Sequence, residues 1–333
     1  VICILHPPAL PGWRFHFRRR CNLALLAPAT APAHHRRARA DLQGAAMTRE
    51  ITSGTTADPT TTPAAATPAA TPTARDVWFD SAGTPLFAID SGDGPPIVLL
   101  HGGLATHLAC RVFARPLARF RVITPDLRAS GRSIYRGALD WDRLADDVVA
   151  LLDHLGVARA VIGGISFGAG VAVRTALRHP ARTAGLVVLT PAFAGGDTGL
   201  TAAQDAAMRA MDAAGQRSLT EGVQVLLPLL DGLPAELRER ARPVFLGYDA
   251  ASVAASTRFM ASGVQPFAAS EDLAAIAAPA LVVPGADPTH PPEVAAIYHR
   301  HLQRCTMCET DAMGYADAIA AFVDRLPAAQ WLQ

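Results

Sequence analysis

Five consecutive residues, Gly164-Ile165-Ser166-Phe167-Gly168, carry the clearest chemical pattern in the chain: a serine between two glycines, preceded by Ala160, Val161 and Ile162 and followed by small residues from Ala169 to Ala176. A strand that turns sharply into a helix needs tiny residues beside the turn, and a serine at its apex stands above a helix N-terminus whose N–H groups point outward. Such a serine attacks a carbonyl carbon when a base takes its proton and donors await the oxyanion. Ser166 is therefore the candidate nucleophile. The same residues also suit a glycine-rich turn without chemistry, so the surroundings must decide. The other reactive side chains offer less. Cys3, Cys21, Cys110, Cys305 and Cys308 are scattered and odd in number, which argues against a disulfide framework. Cys305-Thr-Met-Cys308 is a lone C-x-x-C that reads as apolar filling of a strand, and nothing in the sequence calls for a metal or a cofactor.

The elements that must position Ser166 are legible on both sides of it. Val77-Trp-Phe79 and Pro85 to Asp90 flank a turn containing Ser-Ala-Gly-Thr and read as a hairpin. Ile97-Val-Leu-Leu100 and Phe120 to Thr124 are short, largely apolar runs of the kind buried on both faces of a parallel sheet. Leu144, Val148, Leu151, Leu152 and Leu155 follow helical spacing, with Gly156 at the position just past the helix end. Gly185 to Thr190 is a further strand. Strands alternating with helices imply an α/β, doubly wound, mostly parallel sheet whose ligands sit at the carboxyl ends of the strands.

Several ordered motifs resemble the α/β-hydrolase fold, in its esterase, haloperoxidase-like and lactonase group, over residues 76 to 327. They are His101-Gly102-Gly103 after the third strand, Asp126-Leu-Arg-Ala-Ser-Gly-Arg-Ser133 with Ala129 where the family has glycine, Ala280 to Asp287, and a terminal helix carrying Tyr315, Ile319, Phe322, Val323 and Leu326. The resemblance implies a core at 76–192 and 268–333 and a helical cap at 193–267, with helical segments separated by Gly215, Gly232 and Gly247. It also implies an oxyanion hole from the N–H of Phe167 and of Gly103 or Leu104, and an acid at Asp287. Asp126 and Arg128 read instead as an ion pair that stabilises their turn.

The histidine departs from the family. The loop after the last strand, Thr310-Asp-Ala-Met-Gly314, contains none. His101, His107 and His290 remain on the correct edge, and Asp287-Pro-Thr-His290-Pro places His290 three residues beyond the acid, so His290 is the assigned base, with His107 behind it. Two readings follow: a serine hydrolase of esters, lactones or similar acyl bonds with a displaced base, or a hydrolase-fold protein that binds a small molecule without turnover. The apolar residues of the cap suit a small, mainly apolar partner in either case.

Composition bounds the rest. A chain of 333 residues, half hydrophobic, 18% charged and of formal net charge +1, buries a sizeable core and projects no field toward nucleic acid or an anionic membrane. No apolar run approaches the ~18 residues of a membrane span, and a soluble, cytoplasmic protein is expected. Residues 1–75 mix Pro, Ala, Thr, His and Arg without periodicity and read as disordered, with Met47 the expected true start.

Overall fold

The computed structural model describes residues 74–113 and 116–331. The reading of residues 1–75 as disordered lies outside this span up to residue 73. Its last two residues need correction: Ala74 and Arg75 open strand β1 (Ala74–Ser81), because the Arg75 guanidinium reaches the buried carboxylate of Asp90 across the ladder. Strand β2 (Thr84–Ser91) returns from β1 through Ala82 and Gly83, both at positive φ, which is the two-residue hairpin turn that matches strand twist.

Six more strands follow: β3 (Pro96–Leu100), β4 (Arg121–Pro125), β5 (Ala160–Ile165), β6 (Thr183–Leu189), β7 (Ala280–Val283) and β8 (Cys305–Met307). Their order across the sheet is β1-β2-β4-β3-β5-β6-β7-β8, antiparallel for the first three and parallel from β4 onward. This is the expected doubly wound architecture. The helices are α1 (His107–Arg111), α2 (Trp141–His154), α3 (Phe167–Arg178), α4 (Ala202–Glu221), α5 (Ala235–Leu246), α6 (Ala250–Ala261), α7 (Pro292–His301) and α8 (Tyr315–Asp324). Side-chain alternation divides the central strands between two cores. Val98, Leu100, Ile162, Val188 and Val282 pack with α2, α3 and α7, while Ile97, Leu99, Val161, Val187 and Leu281 pack with α1 and α8. α2 ends as its sequence demands: Gly156 sits at φ 63 and the N–H of Val157 closes on Leu152 O at 2.8 Å.

Between β6 and β7 the chain is helical, with a 3₁₀ stretch at Val223–Leu230 between α4 and α5. One expectation fails here in detail. Gly215 does not interrupt a helix; α4 runs through it because it is the contact point with α6, where any Cβ would lie 2.2 Å from Thr257 Oγ1. The break comes at Gly222, φ 83, and the stretch after it contains Pro228. No described helix is long and apolar enough to cross a membrane.

Candidate active site

Ser166 joins β5 to α3 with φ 54 and ψ −112, a backbone strain found at functional turns. The flanking glycines are required by close approach. A Cβ on Gly164 would lie 2.1 Å from Gly168 O, and one on Gly168 would lie 2.4 Å from Leu100 O. The sharp turn thus wedges the start of α3 against β3, and Ser166 N is tied to Leu189 O of β6 at 3.0 Å.

The β7–α7 turn brings its histidine to this serine. His290 Nε2 lies 2.8 Å from Ser166 Oγ, and His290 Nδ1 lies 2.9 Å from Asp287 Oδ2. An ionised carboxylate only accepts, so Nδ1–H donates to Asp287 and the Nε2 lone pair faces the serine hydroxyl. Asp287 Oδ1 also accepts from Thr289 N at 2.8 Å, from the Thr289 hydroxyl and from His290 N at 3.1 Å. Burial pushes the Asp287 carboxyl up, but hydrogen bonds from His290 and Thr289 outweigh it and hold the group well below the usual carboxylate range. The turn closes this tightly because position 285 is glycine: a Cβ there would lie 2.3 Å from both His290 Cβ and His290 O. His290 is buried, so its ring is held in place by the same packing.

The other two histidines of this edge are engaged elsewhere. His101 Nδ1–H donates to Gly102 O at 2.8 Å and its Nε2 accepts from Leu127 N at 3.0 Å. Burial drives its pKa down to about 4, so it is a neutral strut of the loop. His107 Nδ1 lies 2.8 Å from Asp126 Oδ1. The expected Asp126–Arg128 ion pair is replaced by two separate arrangements. Asp126 accepts from the backbone N–H groups of His107 and Arg132, at 2.7 and 2.8 Å, while Arg128 reaches across to Asp147 at 2.6 Å. Ala129 between them takes φ 64, the left-handed conformation that glycine would adopt without strain.

The loop His101–Leu104 lies over the serine turn. A Cβ on Gly102 would sit 3.6 Å from Ser166 Cβ, and one on Gly103 would sit 4.0 Å from Phe167 Cβ and 2.5 Å from Met260 Sδ of α6. The N–H of Phe167 is one of the donors that a helix leaves unpaired at its first turn. Phe167 itself enters an aromatic cluster with Trp141, Phe193 and Phe259, with centroids 5.0–5.1 Å from Trp141. Ser166 and His290 are both buried, and between α6 and the strand-end loops lies a cavity of about 10 Å³, lined by Leu104, Ala129, Tyr248 and Ser252 among others. A larger hollow of about 430 Å³ between the 3₁₀ stretch and α5 has none of Ser166, Asp287 or His290 in its wall.

Sequence reasoning missed four residues around this site. Thr289 supports Asp287, Gln204 bonds to Thr289 O at 3.1 Å, and Tyr248 Oη donates to Leu104 O at 2.9 Å. Thr190, at φ 44 after β6, holds a buried hydroxyl without a partner. Only Gln204 had a local signal, the Thr201-x-x-Gln204 capping box, and that signal announces a helix start rather than a site.

This sheet order, with a serine on the turn after β5 and an acid after β7, defines a fold class, and comparison agrees. The chain has the α/β-hydrolase fold, and the family model for that fold matches residues 95–229. The chain is similar, at 35% identity over 113 residues, to an AB hydrolase superfamily protein, YisY, of Bacillus subtilis (strain 168), covering 33% of this chain and 42% of that relative. It is 36% identical over 106 residues to the 2-hydroxymuconate semialdehyde hydrolase of Pseudomonas sp. (strain CF600), covering 30% of this chain and 38% of the relative. The matched part therefore spans less than half the length of these curated relatives. Among solved structures, a thermophilic esterase from Thermogutta terrifontis superposes with a TM-score of 0.62 at 25% identity, covering 76% of this chain and 99% of that one.

Proposed function

We propose that the protein is a serine hydrolase that cleaves a carboxylic ester, lactone or similar acyl bond of a small, mainly apolar substrate through an acyl-enzyme on Ser166. The observation that carries this reading is the continuous line from Ser166 Oγ through both nitrogens of His290 to Asp287. In the reaction His290 Nε2 takes the Ser166 proton as Oγ adds to the carbonyl carbon, and returns it to the leaving alkoxide as the tetrahedral intermediate collapses. Asp287 keeps Nδ1 protonated and stabilises the imidazolium. The N–H groups of Phe167 and Gly103 serve as oxyanion donors, each worth on the order of 3 kcal/mol in the barrier. Water activated by the same Nε2 then releases the acid. The aromatic cluster of Trp141, Phe167, Phe193 and Phe259 supports an apolar acyl or alcohol group.

One alternative is a binding protein that retains the fold without turnover, since the loop after the last strand, Thr310 to Gly314, carries no histidine. Hydrolysis of short aryl esters by the wild type and by Ser166→Ala separates the two. A wild-type rate well above background, abolished in the alanine variant at unchanged melting temperature, supports the hydrolase; equal rates in both proteins refute it.

A further inference from the structure

Two side chains of the segment between β6 and β7 reach down to the two halves of the reaction centre. Gln204, in the first turn of α4, is buried, and its amide is fully engaged. Its Oε1 accepts from Thr201 N at 2.9 Å, and its Nε2 donates to Ala192 O at 2.7 Å and Thr289 O at 3.1 Å. The opposite orientation of the amide would set its oxygen against two carbonyl oxygens, so the network fixes which end faces the turn. The bond to Thr289 O matters for geometry. The Thr289–His290 peptide is a rigid plane whose N–H end is held by Asp287, at 3.0 Å to the backbone oxygen and 3.1 Å to Oδ1. Gln204 holds its C=O end. With both ends held, the peptide plane that leads into His290 is fixed, and with it the position of the His290 Cα from which the side chain departs.

Tyr248, between α5 and α6, does the equivalent on the other half. Its hydroxyl donates to Leu104 O, and burial pushes its pKa further up, so it remains a donor at any working pH. Leu104 stands at φ 49, a conformation that a branched side chain holds only when its neighbours impose it. The tyrosine bond is such a constraint, and it acts next to the N–H groups of Gly103 and Leu104. The two contacts belong to one packed unit, since α4 and α6 meet at Gly215 and Thr257 and Gln216 Nε2 bonds Ala254 O at 2.9 Å.

We propose that Gln204 and Tyr248 are positioning residues through which the segment between β6 and β7 assembles the reaction centre, Gln204 placing His290 and Tyr248 shaping the oxyanion loop. This rests on the hydrolase reading of Ser166. Displacing the α4–α6 unit to admit substrate releases both loops together, and its return restores them, so an acyl bond meets an aligned base only with that unit in place.

The test uses Gln204→Met, which keeps volume and removes the donor to Thr289 O together with the acceptor of Thr201 N, and Tyr248→Phe, which removes only the hydroxyl, beside wild type and Ser166→Ala. Expected in each variant is a fall in kcat on the order of 10- to 100-fold with KM little changed. In Tyr248→Phe the affinity for an aryl boronic acid, which mimics the tetrahedral adduct, falls with kcat. In Gln204→Met the pH profile of kcat/KM shifts along its base limb. An unchanged kcat in both variants, or a loss carried wholly by KM and melting temperature, overturns the proposal while a dead Ser166→Ala leaves the hydrolase reading standing. Activity retained in Ser166→Ala overturns that reading and this inference with it.

Discussion

Two acid–histidine pairs lie on the carboxyl edge of the sheet, alike in their hydrogen bond and different in what lies beyond it. His107 Nδ1 meets Asp126 at 2.8 Å and His290 Nδ1 meets Asp287 at 2.9 Å. In both, burial pushes the carboxyl up and hydrogen bonds hold it below its usual range. His290 continues to Ser166, whereas the His107 ring packs edge-on against Phe87 with centroids 5.2 Å apart. Asp126 is also the more deeply buried, its side chain wholly covered where that of Asp287 is 26% exposed. A carboxylate beside an imidazole is thus a clamp by default, and the group facing the second nitrogen turns it toward chemistry.

The largest expected contrast is in turnover. His290→Gln should lower kcat/KM for an aryl ester by about 10⁴-fold, and His107→Gln should leave it within the wild-type range; steady-state kinetics of the two purified variants checks this. Stability should reverse the ranking. Asp126→Ala leaves two backbone N–H groups and the His107 ring without their buried acceptor and should cost about 3 kcal/mol in urea unfolding, while Asp287→Ala, at a partly open site, costs less and abolishes turnover.

Acid should separate the histidines further. His101 has its folded pKa lowered from 6.5 to about 4, so the unfolded chain takes up a proton that the folded chain refuses. Its contribution is complete above pH 6.5 and is lost as pH falls toward 4, a change of roughly 3 kcal/mol at ~1.4 kcal/mol per unit. The lowered groups Asp126 and Asp287 contribute above their ordinary value of 3.8 and lose that contribution only as pH falls below it. Urea midpoints between pH 7 and 4 should therefore fall in the wild type and fall less in His101→Gln. Smaller again is Ala129→Gly, which relieves φ 64 and should raise stability by about 1 kcal/mol. Smallest of all, Met313→His should restore nothing to the His290→Gln enzyme, because Met313 is 88% exposed on the last-strand loop.

The strands and the serine turn were legible because their signals are local: apolar runs, glycines at close approaches and a cap at Gly156. The base was only partly so. His290 could be named from its spacing after Asp287, but its reach to Ser166 depends on Gly285 admitting the turn, which spacing alone does not reveal. Arg128 was misassigned because its partner, Asp147, lies on α2, nineteen positions away in sequence. Gln204 and Tyr248 act across 85 and 144 positions, on backbone carbonyls that carry no residue-type signature at all.

The central assignment, His290 as the base for Ser166, is tested most directly by the rate of inactivation with a labelled fluorophosphonate in wild type, His290→Gln and His107→Gln. Expected is rapid, stoichiometric labelling of Ser166 in the wild type and in His107→Gln, with the rate constant reduced by three orders of magnitude or more (~10³) in His290→Gln. Labelling of His290→Gln at the wild-type rate would contradict it, as would a loss confined to His107→Gln.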